Sequence, residues 1–372
     1  MSLKRRRLKV LIVAGARPNF VKIAPLLKEF KSQSNFFDTR LVHTGQHYDF
    51  KMSSVFFRDL SIPKPDIYLK VGSGTHAEQL AKIMTAFENL LMANRPDLVV
   101  VVGDVNSTLA CSLAASKLGV RVAHAEAGLR SFDRAMPEEI NRLATDRLSD
   151  FLFVTEASGV RNLKREGVSA SKIFFVGNLM IDCLLANLKK IRRSKASRRL
   201  GVHGAPYGML TLHRPSNVDS KEPLKKIFHL LTKACQRSKL VYPVHPRTRA
   251  MIKRYGLEKN FNRISGLIMT EPLGYIDFMS LVADASFVLT DSGGVQEEST
   301  VLGVPCLTMR ENTERPVTIS HGTNTLVGLD SKKILSGIKR AIDHPQKKAT
   351  PPRLWDGRSA RRIVDILRRH LR

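Results

Sequence analysis

LTDSGGVQEESTVLGVPCLTMRENTERP, residues 289–316, is the most informative stretch of the chain, because an apolar run passes through a tight turn directly into a helical pattern. Gly293 and Gly294 stand at that turn and allow the backbone to approach a ligand closely. The first turn of a helix offers free N–H groups and the positive end of the helix dipole, which suit phosphate. In the alternative interpretation the two glycines serve only the turn.

Two charged side chains of the same stretch are candidate ligand contacts. Glu298 lies four residues past Gly294, one turn into the predicted helix, where a carboxylate can reach a sugar hydroxyl. Arg315 closes the loop and carries a fixed-charge fork of donors for phosphate oxygens. The stretch therefore combines groups suited to a sugar and to a phosphate.

Strand-like apolar runs alternate with amphipathic helical patterns in both halves of the chain, which predicts parallel sheets covered on both faces by helices. A length of 372 residues favours two domains. We expect an α/β protein of two Rossmann-like, doubly wound domains facing a central cleft. The predicted bounds are residues 8–185 and 205–355, joined by a basic connection. A C-terminal helix, 356–372, is expected to pack back on the first domain.

The predicted elements follow that alternation. The predicted strands are residues 10–14, 39–43, 98–102, 120–123, 151–154, 173–176, 208–212, 240–244, 264–269, 286–289 and 305–308. The predicted helices are residues 21–31, 76–93, 107–118, 137–148, 159–166, 221–237, 275–283, 296–302, 331–343 and 359–370.

Composition argues against several classes of protein. No apolar run approaches the roughly 18 residues of a membrane span. The N-terminal basic stretch is followed by too short an apolar run for an export signal. The cysteines are widely spaced, which argues against a disulfide framework or a metal knuckle and indicates a reducing, cytoplasmic compartment. These cysteines are Cys111, Cys183, Cys235 and Cys306.

The net charge of +28 is the feature that could suggest a nucleic-acid-binding protein. Much of the excess lies in residues 4–9, 189–199 and 353–372, read as a tail, the interdomain connection and a terminal helix. No aromatic residues are interleaved for base stacking. We expect a solvated basic surface; the alternatives are an affinity for nucleic acid and a general aid to the capture of anionic substrates. Neither a membrane nor a specific nucleic acid is expected as a partner.

Three carboxylates follow predicted strands of the first domain or open its next helix. Asp104 ends the central strand, Glu126 ends the following strand, and Glu138 opens a helix. Neighbouring carboxylates shift each other's pKa, so one can be protonated while another is a base. The alternatives are a helix cap for Asp104 and a dipole complement for Glu138. Together the three carboxylates predict acid–base chemistry at one rim of the first domain.

The loop after the first strand, GARPNFVK, is not a GxGxxG motif, and no acidic residue ends the second strand. A nicotinamide cofactor is therefore disfavoured. Arg17 in the loop and Lys22 early in the helix could face a diphosphate, or else be a structural arginine and a solvated lysine.

Two histidines of the second domain stand at corresponding strand ends, each beside an arginine. They are His213 and His245, and their parallel placement favours a functional role over a structural one. Metal ligation by the pair is a weaker alternative, because no carboxylate has matching spacing.

A series of motifs in chain order resembles the non-hydrolysing UDP-N-acetylglucosamine 2-epimerases: GARPNFVKIAPL, TGQHYD, GDVNSTLA, HAEAGLRSFDRAMPEEINR, TLHRPSN, PVHPRTR, EPLGYIDF, DSGGVQEE and ENTERP. The resemblance covers about residues 8–370 and implies the GT-B fold and a homodimer. It implies interconversion of UDP-GlcNAc and UDP-ManNAc at C2. The implied route is anti-elimination of UDP to 2-acetamidoglucal and re-addition, without metal or redox cofactor. A similar branch acts on UDP-diacetamido-uronic acids, while ENTERP favours the GlcNAc branch.

The resemblance also implies roles for individual residues. Asp104, Glu126 and Glu138 match the family's catalytic acids, without a division into acid and base, and His213 matches the residue that assists UDP departure. Gln46 and His47 match part of a pocket where some members bind an activating UDP-GlcNAc. Phe278 matches a residue near the uracil. The nucleotide–diphosphate contacts are matched by Arg17, Lys22, His245, Ser292, Gly293, Gly294, Glu298 and Arg315.

Overall fold

A computed structural model of the chain describes residues 6–45, 50–344 and 350–371. The chain divides into two units, one formed by Met1–Ala186 with Arg353–Arg372 and the other by Asn187–Pro352. A parallel β-sheet with helices forms the framework of each unit. The prediction of two parallel-sheet α/β domains is confirmed.

The first unit has seven strands in the order β3-β2-β1-β4-β5-β6-β7, and neighbouring strands are parallel. The strand order reverses between β1 and β4, so the ends of these strands form a topological switch point, where α/β proteins bind ligands. The elements are β1 Leu8–Ala14, α1 Arg17–Ser32, β2 Phe37–His43, α2 Phe50–Asp59, β3 Ile67–Tyr68, α3 His76–Ala93, β4 Leu98–Val102, α4 Asn106–Lys117, β5 Arg121–Ala127, α5 Pro137–Leu148, β6 Phe151–Val154, α6 Ala157–Arg165, β7 Ile173–Phe175 and α7 Leu179–Arg193.

The second unit repeats the architecture with six parallel strands in the order β10-β9-β8-β11-β12-β13. Its switch point lies between β8 and β11. The elements are α8 Ala196–Arg199, β8 Tyr207–Thr211, α9 Pro215–Val218, α10 Lys221–Cys235, β9 Lys239–Pro243, α11 Pro246–Arg254, α12 Glu258–Asn262, β10 Leu267–Thr270, α13 Tyr275–Asp284, β11 Phe287–Thr290, α14 Gly293–Leu302, β12 Cys306–Thr308, α15 Val317–Ser320, β13 Asn324–Leu326 and α16 Ser331–Asp343, and the chain ends with α17 Ser359–His370 in the first unit.

The strand β4 shows how sequence produces the centre of the first sheet. Its residues, LVVVV, are all buried, as expected for a parallel strand covered on both faces. Helix α3 begins where Thr75 caps it: the Thr75 hydroxyl accepts from the N–H of Glu78, whose carboxylate accepts from the N–H of Thr75. Both elements have the bounds that the sequence pattern predicts.

The C-terminal segment belongs to the first unit and packs on its core. The indole Nε1 of the buried Trp355 donates to the carbonyl of Thr155 at 2.9 Å. The N–H of Ala360, in the first turn of α17, donates to the carboxylate of Asp182 at 2.7 Å. Leu367, further along α17, is fully buried.

The boundary between the units lies at Ala186/Asn187, inside α7, and the residues predicted as a basic connection, 189–199, are mostly helical. Helix α7 continues to Arg193, and α8 follows almost at once. The apolar face of α7, which includes Leu184 and Ile191, is buried, while its lysines and arginines occupy the outer face. The prediction failed because the lysines and arginines on one face of this amphipathic helix resemble the charged composition of a linker. Pattern reading also missed several short elements: α2, β3, α8, α9, α11, α12, α15 and β13.

Candidate active site

Asp104 follows β4, and its carboxylate forms an ion pair with the guanidinium of Arg142 from α5. The side-chain amide of Asn141 donates to the backbone carbonyl of Asp104 at 2.9 Å. The N-cap residue of α4 is Val105, whose own side chain makes no capping hydrogen bond. Arg142 from α5 thus holds the carboxylate of Asp104 beside the start of α4.

Glu126 lies at an irregularity near the end of β5. Its φ is +76°, a left-handed conformation that is uncommon for a residue with a side chain. The pairing of β5 with β6 shifts register between Ala125 and Ala127, so Glu126 is the extra residue of a bulge. Such local strain is often retained at functional sites. Its carboxylate forms an ion pair with the ammonium group of Lys22 from α1, and both side chains are buried.

Gly103 connects this ion pair to Asp104. It has a φ of +69°, and a Cβ at this position would lie 2.8 Å from Nζ of Lys22 and 3.7 Å from Oε2 of Glu126. The backbone immediately before Asp104 therefore runs against the Lys22–Glu126 pair. The structure brings these predicted residues to one edge of the first sheet. Lys22 is not the solvated lysine that the alternative interpretation required.

Glu138 is the second residue of α5 and is partly buried. Arg142, which contacts Asp104, lies one helical turn later on the same face, so Glu138 projects from the face of α5 that carries the contact to Asp104. Its position in the first turn also complements the helix dipole.

The neighbouring Glu139 was missed by sequence reasoning. It is buried, accepts from the N–H of Ser131 at 2.9 Å and forms an ion pair with Arg142 at 2.6 Å. Burial opposes its ionisation, but the hydrogen bonds from Ser131 and Arg142 outweigh burial and lower the pKa of Glu139. The signal available in the sequence was the acid–arginine spacing of three residues beside Glu138.

A buried charged group behind this edge was also missed. In β5, Nδ1 of His124 lies 2.7 Å from Asp146, and Nε2 lies 2.8 Å from the carbonyl oxygen of Gly103. Asp146 also pairs with Arg130 at 2.7 Å. Burial opposes its ionisation, but His124 and Arg130 lower the pKa of Asp146. The network ties the end of β4 to β5 and so supports both Asp104 and Glu126.

Arg17 is the first residue of α1, not a loop residue as predicted. The turn before it is closed by Asn19, whose side-chain oxygen accepts from the N–H groups of Gly15 and Ala16 at 3.0 and 3.1 Å. Its amide donates to the carbonyl of Val102 at 3.0 Å. Asn19 thus ties the start of α1 to the end of β4. The predicted regulatory residues Gln46 and His47 lie outside the described residues.

In the second unit, Ser292 is the N-cap of α14, and Gly293 and Gly294 are its first residues, three positions earlier than predicted. A Cβ added to Gly293 would lie 2.6 Å from Nη1 of Arg315. The guanidinium therefore lies directly against the start of the helix. A helix N-terminus and a fixed cation at one place form a site suited to an anion.

Arg315 is itself held by two carboxylates that sequence reasoning missed. Its Nε lies 2.9 Å from Glu297, and its Nη1 lies 3.4 Å from Glu314. Burial opposes ionisation of Glu314, but Arg310 and Arg315 hold the pKa of that carboxyl well below its usual range. The two carboxylates thus hold the guanidinium of Arg315 in one orientation.

Glu298 is buried in α14, and its Oε1 accepts from the hydroxyl of Tyr275 at 2.9 Å. Burial raises the pKa of Glu298 to about 8, although the Tyr275 hydrogen bond acts in the opposite direction. Phe278 lies three residues after Tyr275 on the same face of α13 and is partly buried. The structure therefore brings Glu298 and the α13 face that carries Phe278 together.

His213 and His245 follow β8 and β9, and their ring centroids are 5.4 Å apart. Nδ1 of His213 lies 3.0 Å from Oδ1 of Asp291, the residue after β11. Nδ1 of His245 accepts from the N–H of Arg247 at 3.2 Å. In the described part of the chain, His, Cys, Asp and Glu residues form no group of three or more that could hold a metal ion.

The chain has two parallel, Rossmann-like sheets, and the charged and polar residues described above follow the carboxyl ends of their strands. Its fold is that of a two-domain α/β protein of the GT-B-like class. Residues 28–368 match the family model described as UDP-N-acetylglucosamine 2-epimerase. The chain belongs to this family, which is a family of isomerases. None of the described helices is long and apolar enough to cross a membrane.

Known relatives are similar over nearly the full length. UDP-N-acetylglucosamine 2-epimerase of Methanocaldococcus jannaschii is 41% identical over 365 residues, covering 97% of this chain and 99% of the relative. The crystal structure of that species' enzyme in complex with UDP-GlcNAc and UDP has a TM-score of 0.91, with 97% and 99% of the two chains covered. UDP-2,3-diacetamido-2,3-dideoxy-D-glucuronate 2-epimerase of Pseudomonas aeruginosa is 40% identical, covering 90% and 92%.

Proposed function

We propose that this protein interconverts UDP-GlcNAc and UDP-ManNAc by inversion at C2. The observation that carries the proposal is the convergence of Asp104, Glu126 and Lys22 at one sheet edge in a chain of the epimerase family. Relatives that share about two fifths of the sequence are UDP-N-acetylglucosamine 2-epimerases.

The C2 proton of the sugar is not acidified by a carbonyl group, so a simple deprotonation and reprotonation is difficult. In the proposed reaction, a carboxylate removes the C2 proton while the anomeric C–O bond breaks, leaving UDP and 2-acetamidoglucal. UDP then adds back while a proton is delivered to the opposite face of C2. Asp104, Glu126 and Glu138 supply these acid–base steps as a set.

The second unit holds the leaving group in this proposal. Arg315 and the N-terminus of α14, with Ser292, Gly293 and Gly294, bind the diphosphate. Glu298 binds a sugar hydroxyl of the nucleotide, and Phe278 contacts the base. His213 donates a hydrogen bond to the diphosphate as it departs, and His245 contacts the same group. Arg17 and Lys22 of the first unit add positive charge.

The decisive experiment is incubation of the purified protein with UDP-GlcNAc in D2O. We expect deuterium at C2 of the nucleotide sugar and accumulation of UDP-ManNAc, both visible by NMR. Free ManNAc with UDP as the final products would indicate a hydrolysing enzyme instead. Absence of both C2 exchange and UDP-ManNAc would overturn the proposal.

A UDP-2,3-diacetamido-uronic acid is the second candidate substrate, because the Pseudomonas aeruginosa relative that is 40% identical is a 2-epimerase of such a compound. The two candidates differ at C3 and C6 of the sugar. A side-by-side measurement of kcat/KM for both nucleotide sugars separates them. A higher value for the uronate would assign the chain to that activity.

We further propose that the enzyme is a cytoplasmic homodimer that has no specific nucleic-acid partner. All four cysteines are free, and three of them are buried, which is compatible with a reducing compartment. Light scattering should give about twice the 41.6 kDa chain mass. Binding to mixed-sequence DNA should disappear as salt rises and show no sequence preference. Fractionation should recover the activity with the cytoplasmic proteins.

A further inference from the structure

Asp291 lies beneath His213, and the proposed reaction assigns it no role. It is fully buried at the end of β11. Its carboxylate accepts from the backbone N–H groups of His213 and Arg214 at 3.0 and 2.9 Å, and from the side-chain amide of Asn217 at 3.1 Å. These donors come from the segment that follows β8, so Asp291 joins the two strand ends at the switch point.

The fourth contact of Asp291 is with the ring of His213, whose Nδ1 lies 3.0 Å from Oδ1. Burial opposes ionisation, but His213 and the backbone N–H groups lower the pKa of Asp291 to about 2. At neutral pH the group is therefore a carboxylate, which only accepts hydrogen bonds. Nδ1 of His213 must carry a proton, and Nε2 is the ring nitrogen directed away from Asp291.

The ring of His213 is about one third exposed, whereas Asp291 is inaccessible to solvent. A buried, ionised carboxylate against one nitrogen stabilises a proton on the other, because the resulting imidazolium is paired with an opposite charge. An imidazolium is a stronger hydrogen-bond donor to phosphate than a neutral ring.

We propose that Asp291 is a positioning residue that orients His213 and stabilises its imidazolium form, so that Nε2–H donates to the diphosphate as the anomeric C–O bond breaks. The electron pair of that bond leaves with UDP, and the proton stays on Nε2 throughout. The inference rests on the proposed function, since UDP is the leaving group of that reaction.

The first test measures turnover for Asp291→Asn, His213→Asn and the double variant. An asparagine at 291 still accepts from the backbone N–H groups through its oxygen, and its NH2 group then faces Nδ1. His213 is thereby left as a neutral ring protonated at Nε2. We expect Asp291→Asn to lower kcat by about 10- to 100-fold, the usual worth of a hydrogen bond to a charged group. The double variant should lose no more than about threefold beyond His213→Asn.

Asn217→Ala is the matched control, because it removes a donor from the same carboxylate but leaves the charge that faces the ring. We expect it to lower thermal stability while keeping kcat within about threefold of wild type. If Asp291→Asn and Asn217→Ala change kcat equally, or if the His213 and Asp291 effects are additive, Asp291 has only a structural role.

The second test does not require turnover. In protein labelled with 15N-histidine and saturated with UDP, both ring nitrogens of His213 should be protonated in the wild type. Only one should be protonated in Asp291→Asn, whereas the signals of His229, exposed on α10, should not change. Identical His213 signals in the two proteins would overturn the inference. If the signals differ as expected but the wild type does not epimerise UDP-GlcNAc, the proposed function fails and the positioning role remains.

Discussion

The ammonium group of Lys22 is paired with the carboxylate of Glu126, although the two side chains are only 7% and 9% exposed. Lys22 lies in the second turn of α1 and Glu126 at the bulge of β5, 104 positions apart in the chain (126 − 22). Removing one partner of a buried pair leaves an uncompensated charge, which costs more than the pair itself contributes.

Lys22→Met should therefore destabilise the protein by about 3–5 kcal/mol, measured as the free energy of unfolding in urea. The double variant Lys22→Met with Glu126→Gln should recover most of that loss, because no charge remains buried. Both variants should be inactive, since Lys22 is assigned to the diphosphate and Glu126 to the acid–base steps. Lys31→Met, an exposed change at the end of α1, is the control and should alter stability by no more than about 0.5 kcal/mol. Equal destabilisation in the single and double variants would contradict the role of the pair.

Removing the charge of any one of the three carboxylates should slow turnover while the protein still folds. Asp104→Asn, Glu126→Gln and Glu138→Gln should each lower kcat by about 10² or more, the usual contribution of an acid–base group. Circular dichroism should show native secondary structure in each, although Glu126→Gln leaves the buried Lys22 unpaired and should lower the free energy of unfolding by about 3–5 kcal/mol. Glu88→Gln, an exposed change on α3, should retain the wild-type rate. Wild-type rates in all three variants would refute the assignment of the site.

Gly293→Ala tests the anion site at the start of α14. The added methyl group would lie 2.6 Å from Nη1 of Arg315, so the guanidinium must move while the helix can remain. We expect UDP binding, measured by calorimetry, to weaken about tenfold or more. The same change made in an Arg315→Gln background should cost little further affinity. A tenfold loss in that background as well would mean that the methyl group acts on the ligand directly.

Glu298→Gln should change how stability depends on pH. The folded-state pKa of Glu298 is raised to about 8 from an ordinary value of 4.5, so the folded protein binds an extra proton between these limits. Stability therefore falls as pH rises from about 5 to 8, with a slope approaching about 1.4 kcal/mol per pH unit from this group. Urea unfolding across this range should show a shallower slope for Glu298→Gln. Parallel curves for the two proteins would contradict a buried, protonated Glu298.

Leu367→Ala tests the contribution of the C-terminal helix to the first unit. Leu367 is fully buried, so its truncation should cost about 2–5 kcal/mol of unfolding free energy. The adjacent Arg368 is exposed, and Arg368→Ala should stay within about 0.5 kcal/mol of wild type. Similar effects of the two changes would show that α17 adds little to the core.

Long, strongly periodic segments were predictable from the sequence. Helices His76–Ala93, Pro137–Leu148 and Ser331–Asp343 have the predicted bounds, because their apolar positions recur with helical spacing and clear end signals flank them. Short elements such as Ile67–Tyr68 were missed, since two residues carry no readable period. Helix Leu179–Arg193 was missed because its charged face resembled a linker.

The fold class, the family and the residue types of the candidate site could be predicted from the amino-acid sequence, because strand–helix alternation and the order of the motifs are local properties of the chain. Which side chains meet follows from the three-dimensional fold. The ion pair of Lys22 with Glu126 and the contact of His213 with Asp291 join residues far apart in sequence. Local periodicity carries no information about such pairs, since they form only when strand order brings distant strand ends to one edge of a sheet.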